Sequence, residues 1–368
     1  MRNKLMGIIL TIGVILNLSA CGPNSDNISV KVEVPETEVE VIVEKPEVPE
    51  TNVEVIVEKP EVPETEEIDG ILPLHVEGAK LVDSFSNPVQ LRGLSTHGLA
   101  WFPQYVSYES FKSLRDLLDI NLIRLAMYTE EYGGYCNGGD REGLLKLVED
   151  GVDYATQLGM YVIIDWHILQ DGDPNENKEE AALFFDRMSK KYAKNTNVLY
   201  EICNEPNGNI HFLPKIRDYA NEMIDIIRKN DEDAVILVGT PNWCSSIQEV
   251  NANSLEYENI MYTVHFYAAS NTDELRGKVK MAVQLNVPVF ISECSICKSD
   301  GSQEVDYVSG DKWMDMLYDN DISYVFWNIS NKDETSAIFS PSCLKTSDYT
   351  KDDLSVTGRY FYELKDRY

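Results

Sequence analysis

Basic residues and long apolar runs are both scarce in this chain. Lysine and arginine number 32 against 62 aspartates and glutamates, for a formal net charge of −30. That balance argues strongly against a nucleic acid partner, because a phosphate backbone is bound by clustered positive charge. It suits an exposed, soluble protein or a neutral substrate. Beyond the N-terminus no segment reaches the roughly 20 apolar residues of a membrane-spanning helix. There is no glycine-rich phosphate turn after the first predicted strand, which weighs against a doubly wound nucleotide-binding sheet. Cysteines are few for a chain of 368 residues: Cys21, Cys136, Cys203, Cys244, Cys294, Cys297 and Cys343. Cys203 and Cys244 sit beside apolar runs and read as buried thiols. Cys294-x-x-Cys297 has no second pair at zinc-finger spacing, so zinc is not expected, nor any other metal or cofactor.

What is present begins with an export signal over residues 1–20. Arg2 and Lys4 precede an apolar core over Leu5–Leu16, too short for a comfortable bilayer span. The core runs into Leu18-Ser19-Ala20-Cys21, which resembles the lipobox of bacterial lipoproteins. That resemblance implies cleavage before Cys21, a lipid on its thiol, and a membrane-anchored protein at the cell surface. Residues 21–70 then form a second region. "EVPETEVEVIVEKP" (33–46) returns as "EVPETNVEVIVEKP" (47–60) and starts again at 61–65. Recurring prolines, absent aromatics and an excess of glutamate predict a disordered, extended acidic linker. At about 3 Å per residue it would reach on the order of 100 Å.

From about Ile71 the composition changes, and roughly 300 residues suffice for one α/β barrel. Short apolar runs lie at 89–95, 121–128, 160–168, 197–205, 234–240, 260–267, 287–293 and 323–330. Amphipathic helical patterns separate several of them, as over 141–159, 212–230 and 273–286. Near-continuous apolar strands suggest burial on both faces, and eight βα repeats predict a closed (β/α)8 TIM barrel over 71–368. The stretch 74–90 reads as a hairpin that would cap the barrel floor.

Polar and aromatic residues collect where these strands end. Arg124 lies late in the second strand, His167 ends the third, and Asn204-Glu205 ends the fourth. His265 and Tyr267 end the sixth, Glu293 the seventh, and Trp327 lies late in the eighth; His97 follows the first. Catalytic groups of a barrel come from these C-terminal ends. Two carboxylates on one face suggest acid–base chemistry on a glycosidic bond, one protonated and one ionised at working pH. Trp101 and Trp327 suit the apolar faces of sugars.

In order along the chain, "LRGLSTHGLAWF" (91–102), "IRLAMY" (123–128), "VIIDWHIL" (162–169), "YEICNEPNG" (200–208), "VHFYA" (264–268), "PVFISE" (288–293) and "FWNISNKDETSA" (326–337) resemble glycoside hydrolase family 5. The likeness is greatest to its bacterial endo-β-1,4-glucanases. It implies Glu205 as general acid/base, Glu293 as nucleophile, and Asn204 as a partner of the sugar 2-hydroxyl. It further implies that Arg124 and Tyr267 hold Glu293 ionised, and that His265 lies near Glu205. His97, Trp101, Tyr128, His167 and Trp327 would line subsites, with Lys332 and Glu334 giving polar contacts. The implied activity is retaining hydrolysis of cellulose or related β-glucans by a monomer. Mannan, xyloglucan or mixed-linkage glucan is the alternative substrate, and a non-catalytic glycan-binding barrel the alternative function. One departure stands out. Related glucanases often carry Glu-Trp-Gly after the nucleophile, where this chain has Glu293-Cys294-Ser295.

Overall fold

The computed structural model describes residues 27–34, 37–44, 71–302 and 304–368. The export signal, Cys21 and most of the acidic linker lie outside the described residues. The chain divides into two units, Met1–Pro63 and Glu64–Tyr368. Within the first, β1 (Asn27–Val34) pairs antiparallel with β2 (Thr37–Glu44). Both strands fall within the stretch expected to be an extended linker.

In the second unit all eight apolar runs become strands: β5 (Arg92–Thr96), β6 (Leu122–Tyr128), β7 (Tyr161–His167), β8 (Val198–Glu201), β9 (Val235–Gly239), β10 (Ile260–Tyr267), β11 (Val289–Ser295) and β12 (Tyr324–Ile329). They pair in parallel and close into a barrel, with β12 returning to β5. Every residue of β6, β8 and β9 is buried, as a sheet covered on both faces requires. Helices pack outside. In the helix Arg141–Gln157, Leu144, Leu145, Val148 and Val152 form the buried face. Gly151 lets this helix close onto β6, since a Cβ there would stand 2.7 Å from Leu125 Cδ2.

The floor is closed as the sequence suggests. Strands β3 (Leu74–Glu77) and β4 (Lys80–Asp83) form a hairpin that turns at Gly78, where φ is +62°. Leu74, Leu81 and Leu91 pack with Leu122, Ile163, Leu199, Phe290 and Val325, which lie near the starts of the barrel strands. An apolar plug thus occupies the N-terminal mouth, and polar side chains are left to the other end.

One boundary differs from expectation. Strand β8 stops at Glu201, so Asn204 and Glu205 lie beyond it on irregular backbone. The Asn204 N–H donates to Trp166 O at 3.1 Å and the Glu205 N–H to Ile168 O at 3.4 Å, which ties this segment to the end of β7. It passes so close to β9 that a Cβ on Gly239 would fall 2.1 Å from Cys203 O.

Candidate active site

Arg124 is the centre from which the site is built. It is fully buried on β6, where an unpaired charge would be very costly. Its Nε donates to Glu201 Oε2 at 2.7 Å, its Nη2 to Asn204 Oδ1 at 2.5 Å, and its Nη1 to Glu293 Oε2 at 3.4 Å. Asp165 Oδ2 lies 3.0 Å from Nη2. Burial works against the guanidinium charge, but Asp165, Glu201 and Glu293 outweigh it and raise its pKa.

Glu293 lies on β11 and Tyr267 on β10; the Tyr267 hydroxyl donates to Glu293 Oε1 at 2.7 Å. Burial pushes the Glu293 carboxyl above its ordinary value; His265, Arg124 and the Tyr267 bond pull it back. Glu205 Oε1 lies 2.8 Å from His265 Nδ1, and His265 Nε2 stands 2.9 Å from Ser292 Oγ. Consecutive residues of a strand normally face opposite sides, yet Ser292 and Glu293 both reach inward. The register of β11 against β12 shifts between Ile291 and Cys294, and that of β10 against β11 between Thr263 and His265. Such irregularities re-aim side chains.

A cleft of about 510 Å³ opens over these groups, lined by Tyr128, His167, Glu205, Tyr267, Glu293 and Trp327 among others. Trp327 stacks on His167 with ring centroids 5.3 Å apart and planes at 16°. His167 Nδ1 lies 2.6 Å from Asp165 Oδ2. Burial raises the Asp165 pKa and lowers that of His167, so the pair resists separating charge. Glu334 also lines the cleft; its Oε1 accepts from Asn328 Nδ2 at 2.7 Å and its Oε2 meets Lys332 Nζ at 2.7 Å.

Other expected residues sit one step back. Trp101 packs on Tyr128 at 4.8 Å, and His97 stands 5.3 Å from Trp327 and 3.3 Å from Lys332 Nζ. Asn204 is buried, and its Nδ2 donates to Ile168 O at 3.0 Å. One amide hydrogen remains for a sugar hydroxyl.

Several residues were not read from the sequence. Asp165, Glu201 and Ser292 carry the buried polar network, and Trp243, Asn271 and Asp300 line the cleft. Trp243 follows the fifth apolar run by three residues, a position like that of the aromatics that were recognised. The segment after the nucleophile keeps Cys294 and Cys297 buried and free, while Ser299, Asp300 and Gly301 reach the cleft.

An oxygen of Glu205, an oxygen of Glu293 and a nitrogen of His265 lie within 4.8 Å of one another. These donors are committed to each other, to Tyr267 and to Arg124, whose positive charge would repel a cation. The geometry suits proton transfer instead. Two carboxyls this close, in a groove walled by aromatic rings at the C-terminal end of a barrel, define the class of two-carboxylate glycoside hydrolases.

Comparison with known proteins narrows the class. Residues 82–333 match the family "Cellulase (glycosyl hydrolase family 5)", and the chain belongs to that family. It is 47% identical over 293 residues to endoglucanase A of Butyrivibrio fibrisolvens, covering 79% of this chain and 68% of the relative. It is 41% identical to an endoglucanase of Clostridium saccharobutylicum, covering 78% and 63%. Among solved structures it is similar to the catalytic domain of the Thermobifida fusca endoglucanase Cel5A, with a TM-score of 0.76 and 36% identity over 80% of this chain and 97% of that one. A variant of that domain was solved in complex with cellotetraose, with the same TM-score, 35% identity and the same coverage of both chains.

Proposed function

We propose that residues 71–368 form a retaining endo-β-1,4-glucanase acting on cellulose or related β-glucans. Glu293 attacks the anomeric carbon. Glu205 first protonates the departing oxygen, then takes a proton from the water that cleaves the glycosyl-enzyme. The observation that carries this reading is the closeness of Glu205 and Glu293, with an oxygen of each within 4.8 Å. That fits the roughly 5–5.5 Å spacing of retaining enzymes, whereas inverting enzymes need about 6.5–9.5 Å to admit a water. Tyr267 and Arg124 orient the nucleophile, and Trp327 offers a face to the sugar on the nucleophile side. The cellotetraose bound by the Thermobifida relative supports a β-1,4-linked glucan as substrate.

The first product, followed by NMR, is expected to be the β-anomer; an α-anomer overturns the mechanism. Reducing-sugar release from a panel of soluble glycans identifies the chain cleaved. Faster release from mannan or xyloglucan than from β-1,4-glucan would reassign the substrate.

The same protein is exported, by this reading, and held at the cell surface through a lipid on Cys21, acting as a monomer. Leu18-Ser19-Ala20-Cys21 after an apolar core is what supports the anchor. Cys21→Ser should move the protein from the membrane fraction to the soluble fraction with the activity of the domain unchanged. If it still sediments with membranes, the anchor assignment fails.

A further inference from the structure

A chain of hydrogen bonds runs behind Glu205, away from the cleft. Glu205 Oε1 meets His265 Nδ1 at 2.8 Å, and His265 Nε2 meets Ser292 Oγ at 2.9 Å. Ser292 Oγ donates to Glu201 Oε1 at 2.7 Å, and Glu201 Oε2 accepts from Arg124 Nε at 2.7 Å. Glu201 and Ser292 are wholly buried and His265 nearly so. His265 does not reach Glu201 directly, because Nε2 stands 3.9 Å from Oε1.

The direction of this chain follows from counting protons. An ionised carboxylate only accepts, and a hydroxyl has one hydrogen to give. Burial raises the Glu201 carboxyl, but Arg124 and the His265 side outweigh it and leave its pKa lowered, so Glu201 is ionised at neutral pH. Ser292 therefore spends its only hydrogen on Glu201. Towards His265 it can only accept, so Nε2 must carry a hydrogen.

We infer that Glu201, acting through Ser292, is a positioning residue that keeps His265 protonated on Nε2 and turns Nδ1 towards Glu205 Oε1. This inference rests on Glu205 being the acid/base. With both ring nitrogens protonated, Nδ1–H occupies Oε1 of Glu205. Oε2 is then the oxygen that exchanges the catalytic proton. In the first step that proton passes from Oε2 to the departing glycosidic oxygen, leaving a carboxylate opposite the imidazolium. In the second step the proton of the attacking water returns to Oε2. The charge surroundings favour this arrangement. Glu201, Glu205 and Glu293 lie near His265, with the Arg124 guanidinium opposing them; the buried Asp165–His167 pair resists separating charge, and the Cys244 thiol neighbours the ring. Burial opposes a charge on His265, but Cys244, Glu201 and Glu205 hold its pKa well above the usual histidine range.

The test has a spectroscopic arm and a kinetic arm. Nitrogen NMR of the histidine-labelled enzyme at neutral pH should find Nε2 of His265 protonated. An unprotonated Nε2 in the unaltered enzyme overturns the inference, whatever the variants do. Ser292→Ala, which leaves the Arg124–Glu201 pair in place, is then compared with the unaltered enzyme on aryl cellobiosides of graded leaving-group ability. If the chain orients the acid, hydrolysis with poor leaving groups falls on the order of tenfold or more, while a dinitrophenyl cellobioside is cleaved at nearly the original rate. Ser292→Thr, which keeps the hydroxyl, should restore the poor substrates. Equal loss on good and poor leaving groups means Ser292 only supports the fold, and overturns the proposal. Glu205→Ala serves as the control: if it shows no dependence on leaving group, the acid/base assignment itself has failed.

Discussion

Trp243 holds its place in the cleft against a backbone preference. Asn242, Trp243 and Cys244 have φ of 57°, 52° and 53°, three successive non-glycine residues in the left-handed region. Each costs about 1 kcal/mol or more in that conformation. The turn is retained by the Trp243 N–H bond to Pro206 O at 3.1 Å and by Cys244 Sγ donating to Asn204 O at 2.9 Å. Trp243→Gly should therefore melt within a few degrees of the parent while its KM for polysaccharide rises several-fold, because glycine accepts the backbone but offers no ring. An unchanged KM would make the indole a bystander. His97 carries a second signature. Burial first, then Lys332, lower its pKa to about 4, with Glu334 opposing. The folded protein keeps this ring neutral while the unfolded chain charges it, so its effect on stability is nil above about pH 6.5 and grows unfavourable as pH falls towards 4. An NMR titration should show a midpoint near 4 that moves upward in Lys332→Met. Tyr267→Phe acts in the same way on the nucleophile. It removes a bond that lowers the Glu293 pKa, so the acidic limb of kcat/KM should shift to higher pH. No shift would mean another donor replaces the phenol.

At the scale of elements, the eight strands were legible because each is a short apolar run flanked by turn residues. Their inner polar residues were legible because a charge at the end of such a run has no structural use. The bulges on β10 and β11 were not, since a register shift depends on the neighbouring strand as much as on the strand itself. That is why Ser292 was not singled out from the sequence. Asp165 and Glu201 escaped for a related reason: each lies inside its run, where only the three-dimensional partner Arg124 explains a charge. The floor hairpin was read from the stretch 74–90, and it makes a clean prediction. Leu81→Ala removes a buried anchor of the plug and should cost about 2–5 kcal/mol in denaturant unfolding. The kcat should hold, because the plug and the cleft occupy opposite ends of the barrel. A parallel loss of kcat would show that the two ends are coupled.

Across the whole molecule, acidity and fold are separate matters. The formal charge of −30 says nothing about barrel topology, but it does imply self-repulsion in the compact state. Raising ionic strength from about 0.01 M to 0.15 M shortens the screening length from about 30 to 8 Å. It should raise the melting temperature measured by calorimetry; a fall would mean that favourable ion pairs outweigh the repulsion.

The four-way grip of Arg124 has a consequence for how such a site can change over generations. Glu201, Glu293, Asp165 and Asn204 all depend on one guanidinium, and it depends on them. Lysine offers a single point of charge and cannot replace the fork. Any step away from one member strands the rest, so drift at these positions is gated by simultaneous rather than successive substitution. In a mutagenised library selected only for folding, positions 124, 165 and 201 should therefore change together or not at all, although none of the three carries the bond-breaking step itself.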